Sequence, residues 1–117
     1  RQALAARLED GMTARLKDMA MPHCRAALAL VRGTGPTPWT AHGAEEVEFL
    51  FSANPGEPLK ALGKVASGGE LSRVLLALTV TTLQGQAGKV FLFDEIDTGT
   101  SGEVAGSIAR QLLALAY

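Results

Sequence analysis

The residues best suited to chemistry lie in two segments, Ser67-Gly68-Gly69-Glu70 and Val90-Phe91-Leu92-Phe93-Asp94-Glu95. In the first, a serine stands three positions before a glutamate and just ahead of an apolar run. That is the form of a capping box, in which Ser67 accepts from the Glu70 N–H and Glu70 reaches back to Ser67. The two glycines are not explained by the cap, since each disfavours a helix by about 0.8–1 kcal/mol against alanine. Their lack of side chains leaves the first-turn amides open, and a helix N-terminus with open amides binds phosphate oxygens. Read alone, the segment fits a plain cap and a phosphate site equally well.

The second segment is a continuous apolar run that ends in two carboxylates. Such a run predicts a strand buried on both faces of a parallel sheet, and ligands of open α/β sheets sit beyond the carboxyl ends of the strands. Asp94 can there hold Mg²⁺, directly or through water, and Glu95 can orient or deprotonate an attacking water. A solvated acidic turn is the plainer alternative. Asp97, Thr98, Gly99, Thr100 and Ser101 continue from it as a polar loop.

The elements that must position these groups follow from the hydrophobic spacing. Leu4, Leu8, Met12, Leu16 and Met19 recur every three or four residues among charged neighbours, which predicts an amphipathic helix over 1–20. Gly11 weakens that helix, and Pro22 is expected to end it. On spacing alone it suits a surface helix packed on a core better than a coiled-coil arm. Residues 25–32 read as a strand, residues 33–44 as a loop, and alternating Val47, Phe49 and Phe51 as a half-exposed strand pairing antiparallel with the first. Asn54-Pro55-Gly56-Glu57-Pro58 is a turn cluster. Leu71 to Leu83 is apolar on nearly all sides, as expected of a buried helix. After a Gly- and Gln-rich turn at 84–88 comes the strand 89–94, then a last helix capped by Thr100 or Ser101 with Val104, Ile108, Leu112 and Leu115 on one face. Helix, strand, helix in that order predicts a parallel α/β layer.

Composition limits the function classes. A length of 117 residues fits one small domain or a piece of a larger one, and a net charge of −1 makes no overall electrostatic case for nucleic-acid binding. One cysteine, Cys24, cannot form an internal disulfide. No run suits a membrane span or a signal peptide, so a soluble cytoplasmic protein is expected. The chain opens and stops inside helical patterns, which reads as a fragment of a longer polypeptide. The phosphate loop G-x-x-x-x-G-K-[ST] does not occur: Gly63-Lys64 is preceded by Pro58 at the required glycine and followed by Val65. His23 and His42 have no partners at metal-ligand spacing, and Trp39 beside Pro38 suits loop packing.

These residues resemble a known family. Ser-Gly-Gly-Glu opening an apolar helix, followed by four apolar residues and Asp-Glu, looks like the signature motif and Walker B strand of ABC-type ATPase heads. The fuller wording, Lys64-Val-Ala-Ser-Gly-Gly-Glu-Leu-Ser-Arg73 and Phe93-Asp-Glu-Ile-Asp-Thr-Gly-Thr-Ser-Gly102, resembles the RecN family of bacterial DNA repair ATPases. Met21-Pro22-His23 and Ser52-Ala-Asn-Pro-Gly-Glu-Pro58 carry the similarity over nearly the whole chain.

The resemblance implies an α/β fold forming part of an ABC-type P-loop NTPase head, with a parallel sheet and helices, a β-hairpin lobe and the base of a coiled-coil arm. Residues 1–22 would end the arm, against the preference from spacing alone. Residues 23–117 would form the C-terminal half of the head, with signature helix 67–84, Walker B strand 89–95 and D-loop 97–102. The phosphate loop would lie in the N-terminal half of the same head. Two heads would sandwich ATP, with Ser67, Gly68 and Gly69 on the γ-phosphate held by the opposite head and Glu70 supporting that turn. Asp94 would coordinate Mg²⁺ through water and Glu95 would activate the hydrolytic water. The loop Asp97, Thr98, Gly99, Thr100, Ser101 departs from the general pattern, because the usual terminal Asp falls at Ser101. The implied partners are a second copy and DNA, without a membrane, in the bacterial cytoplasm at the nucleoid. This piece alone is expected to be inactive. A transporter-type head or a non-catalytic dimerisation scaffold would share some of these motifs.

Overall fold

The computed structural model describes residues 2–32, 41, 43–64, 67–83 and 88–116. Residues 33–40 and 42 of the predicted loop 33–44, with Trp39 and His42, the Val65–Ala66 step and residues 84–87 of the predicted turn 84–88 lie outside them. Helix α1 spans Gln2–Asp18, strand β1 Arg25–Arg32, strand β2 Glu45–Ser52 and the short strand β3 Lys60–Ala61. A 3₁₀ turn follows at Leu62–Lys64, then helix α2 at Gly68–Leu83 and helix α3 at Gly102–Ala116.

The predicted hairpin is present. β1 pairs antiparallel with β2 in a register running from Arg25↔Ser52 to Arg32↔Glu45, and β3 joins the other edge of β2 through Leu50↔Ala61 and Phe51↔Lys60. Burial rises toward the C-terminal end of β2: Phe51 and Ser52 are buried, whereas Val47 is 54% exposed. The Asn54–Glu57 turn closes by donation from the Glu57 N–H to the Asn54 carbonyl (3.3 Å), with Gly56 at φ 80°. Pro55 and Gly56 occupy the central positions that such a turn favours. The buried Ser52 hydroxyl adds donations to the carbonyls of Asn54 and Glu57 at 3.0 and 3.2 Å.

α1 ends by a different device from the one expected. Ala20 takes a left-handed conformation (φ 60°), and the Met21 N–H donates to the Leu16 carbonyl at 3.1 Å. This is a Schellman closure, with the buried side chains of Leu16 and Met21 at the two positions that normally touch. Pro22 therefore follows an end already made.

α2 lies between α1 and α3. The core joins Met12, Leu16 and Met19 from the first helical segment, Met21, Cys24 and Phe51 from the hairpin side, Val74, Leu76, Ala77 and Val80 from α2, and Ile108 from α3. Gly11, read from sequence as a weak point, serves packing: a Cβ there would lie 2.8 Å from the Thr81 Cγ2 on α2. Its absence lets the two helices approach. α1 is further tied by the Arg15 guanidinium, which donates to Gln111 Oε1 of α3 at 2.7 Å, and by Glu9 Oε1, which accepts from the Leu28 N–H of β1 at 2.7 Å. Leu4, at the far end of the stripe, is 58% exposed.

Two expectations are corrected. The parallel layer is not found among the described residues, whose one sheet is antiparallel. The predicted strand 89–95 is not a strand: residues 88–94 form no regular element. A strand needs a neighbour to satisfy its N–H and C=O groups, and no ladder of the described residues includes this segment. Its burial is also one-sided. Val90 and Leu92 are each 96% exposed, while Phe91 and Phe93 are half-buried with stacked rings 6.5 Å apart. α2 is likewise less enclosed than its sequence predicts, with Leu75 40% exposed. Among the described residues no helix is long and apolar enough to cross a membrane.

Candidate functional site: the tip of α2 and the carboxylate turn

Ser67 is the N-cap of α2. Its Oγ accepts from the Glu70 N–H at 3.2 Å and its carbonyl accepts from the Leu71 N–H at 3.0 Å, which is the forward half of the predicted capping box. The turn after Phe93 is also built from local bonds. The Asp94 Oδ1 accepts from the Glu95 N–H (2.9 Å), the Glu95 carbonyl from the Thr98 N–H (3.1 Å), and the Asp97 carbonyl from the Thr100 N–H and hydroxyl (3.1 and 2.7 Å). Ser101 then accepts from the Ala105 N–H at 3.0 Å, which places it as the N-cap of α3. Glu95 has φ 54°, a left-handed conformation that costs a non-glycine residue about 1–2 kcal/mol. Such strain persists only where the surroundings over-determine it.

The structure brings Gly68, Gly69, Asp94, Glu95 and Thr98 together. A Cβ on Gly69 would lie 3.2 Å from the Glu95 carbonyl oxygen and 3.3 Å from the Thr98 Cβ, so Gly69 is buried beneath the turn. The expectation that both glycines stand open is corrected for this one. Gly68 remains exposed, and the Glu95 carboxylate oxygen Oε2 lies so near that a Cβ at Gly68 would clash with it. Both glycines thus permit close approach of the turn, and a carboxylate rests where the partial positive charge of the helix is concentrated.

Ser67 and Glu70 face elsewhere. They line a cleft of about 220 Å³ together with Phe51, Asn54, Lys60 and Lys64, between the hairpin lobe and the start of α2. Asp97, Gly99 and Ser101 are exposed along the connection to α3.

Two residues of this region were not singled out from the sequence. The Ser72 hydroxyl donates to the Asp94 carbonyl at 2.6 Å, and the Arg73 Nη1 donates to the Thr98 carbonyl at 3.2 Å. The signal for them was helical spacing: Gly69, Ser72 and Arg73 stand at i, i+3 and i+4, on one face.

No protein-family model matches the chain. Curated proteins do. It is 44% identical to a DNA repair protein RecN of Deinococcus radiodurans over 116 residues, covering 99% of this chain and 20% of that protein. With a DNA repair protein RecN of Streptomyces coelicolor the identity is 38% over 125 residues, covering 99% of the chain and 22% of the relative. With one from Bacillus subtilis it is 52% over 83 residues, covering 71% and 14%. The chain therefore spans a fifth or less of most of these relatives, and 22% at the most.

Proposed function

Because the chain belongs to the RecN family of bacterial DNA repair proteins, we propose that it forms part of an ATP-hydrolysing head acting in DNA double-strand-break repair and recombination. The observation that carries this reading is the meeting of α2's tip with the carboxylate turn, at the contact of Gly69 with the Glu95 carbonyl. It ties an anion-binding helix start, which serves the ATP held by the opposite head, to two adjacent carboxylates, which serve the ATP held by this one. Each nucleotide of the sandwich thus meets both kinds of group. Phosphoanhydride hydrolysis needs both, the first for phosphate charge and the second for metal and water.

On this reading two heads enclose ATP between them. The Ser67 hydroxyl and the Gly68 amide donate to the γ-phosphate held by the opposite head, Gly69 seats the turn, and Glu70 supports the cap. The phosphate loop comes from the N-terminal half of the same head. Among the described residues no group of three or more His, Cys, Asp or Glu could hold a metal on its own. The exposed carboxylate of Asp94 suits Mg²⁺, which keeps several waters and takes one or two carboxylates alongside substrate phosphates. Bound Mg²⁺ would supply neutralisation of the phosphate charge. Asp94 would hold that ion through water, and Glu95 accepts the proton of the attacking water. The loop Asp97–Ser101 carries contact between heads, and α1 is the base of the coiled-coil arm. DNA binding belongs to the whole protein, at the nucleoid in the bacterial cytoplasm.

The test is Glu95→Gln in the full-length protein. It is expected to keep ATP binding while hydrolysis falls about 10²- to 10⁴-fold, the usual contribution of a general base. Turnover at the wild-type rate would remove the proposed role of Glu95.

A further inference from the structure

We propose that Ser72 and Arg73 are positioning residues that hold the carboxylate turn on α2, so that the orientation of Asp94 and Glu95 is set by the helix that carries the glycine tip. The proposal rests on the ATPase reading above and adds two residues to it. The Ser72 hydroxyl grips the carbonyl of Asp94, at the first position of the turn, and the Arg73 guanidinium grips the carbonyl of Thr98, at its last. Between these grips, Gly69 lies against the Glu95 carbonyl, which also accepts from the Thr98 N–H. Three consecutive contacts thus run from one face of α2 to one short stretch of backbone.

Both acceptors are main-chain carbonyls, so the bonds define the path of the chain rather than a side-chain rotamer. That path includes Glu95 at φ 54°, which needs restraint on both sides to persist. Neither donor serves α2 itself. Serine is a poorer helix former than alanine. The Arg73 Nε is buried with no acceptor among the described residues, a cost for any desolvated donor.

The experiment uses the full-length protein and four variants: Ser72→Ala, Arg73→Ala, Arg73→Lys and Glu95→Gln. ATP turnover, KM for ATP and the melting temperature are measured for each. Displacement of a catalytic group by about 1 Å costs on the order of 10²-fold. Ser72→Ala and Arg73→Ala are therefore expected to lower kcat by about ten- to a hundredfold with KM for ATP little changed. Arg73→Lys, which can still donate to Thr98, is expected to recover most of the loss, a rescue that simple destabilisation would not produce. Folded Ser72→Ala and Arg73→Ala proteins with wild-type kcat, beside an inactive Glu95→Gln, would overturn the clamp and leave the ATPase reading standing. An active Glu95→Gln would remove the role of Glu95, and a wild-type full-length protein without ATP turnover would overturn the ATPase reading instead. If Arg73→Ala fails to fold, Ser72→Ala decides, since it removes a single oxygen from a half-buried position.

Discussion

Gly11→Ala isolates the close approach of α1 and α2. On an open helix face this substitution would stabilise by about 1 kcal/mol, the helix-propensity difference between the two residues. Here the new Cβ would lie 2.8 Å from the Thr81 Cγ2, against an optimum of about 3.5–4.0 Å between carbons. Thr81 cannot easily turn away, because its Oγ1 donates to the Ala77 carbonyl at 2.7 Å. Relieving the clash requires the helices to part or that bond to break, and overpacking of this kind costs about 1–3 kcal/mol. The net expectation is a loss of about 1 kcal/mol for Gly11→Ala. Thr81→Ser removes the offending methyl and should cost about 0.5–1.5 kcal/mol by itself, as loss of one buried methyl does elsewhere. In the double variant the alanine Cβ occupies the vacated space, so its loss should fall short of the sum of the single losses by about 1–2 kcal/mol. Urea denaturation followed by circular dichroism on the wild type and the three variants measures the cycle. Additivity within about 0.5 kcal/mol, or a stabilising Gly11→Ala, would refute this account of the packing.

Four further outcomes are expected. Ala20→Gly should raise stability by about 0.5–1 kcal/mol in the same denaturation assay, because glycine takes the left-handed φ of 60° without steric cost; a destabilised variant would contradict the Schellman closure. Burial pushes the Cys24 thiol above its usual 9.0, with Lys17 opposing, so native alkylation by iodoacetamide should be at least about tenfold slower than in denaturant. The same shift contributes stability that is complete below pH 9 and lost as pH rises through the folded value, which a pH series of melting temperatures would detect. The 117-residue chain alone, with no G-x-x-x-x-G-K-[ST] sequence, should show no ATP turnover above background, and sustained hydrolysis by contaminant-free protein would contradict the assigned division of labour.

Local signals served well where local bonds decide the structure. Ser67 caps α2, Pro55-Gly56 turns the chain after β2, and the alternation around Phe49 and Phe51 marks a strand. They failed where a distant partner decides. Val90 to Phe93 has the composition of a central strand, yet composition cannot supply the neighbouring ladder, and the segment runs with Val90 and Leu92 in solvent. Gly11 and Gly69 read as helix-weakening residues because the Thr81 methyl and the Glu95 carbonyl that meet them lie far along the chain. Ser72 and Arg73 sat inside the quoted motif without a role, since their acceptors are carbonyls whose position no side-chain pattern encodes. The proposed roles of Asp94 and Glu95 came from a carboxylate pair closing an apolar run and then from motif resemblance, and the fold adds the proximity of Glu95 to the helix start.

The resting place of the Glu95 side chain bears on how a charge-neutral variant would be interpreted. Its negative oxygen stands against Gly68, at the helix start where an incoming anion would settle. Glutamine in its place is an uncharged and weaker rival. Tighter nucleotide retention by Glu95→Gln would then have two sources, an arrested reaction and a vacated berth, and affinity for a nonhydrolysable analogue would separate them.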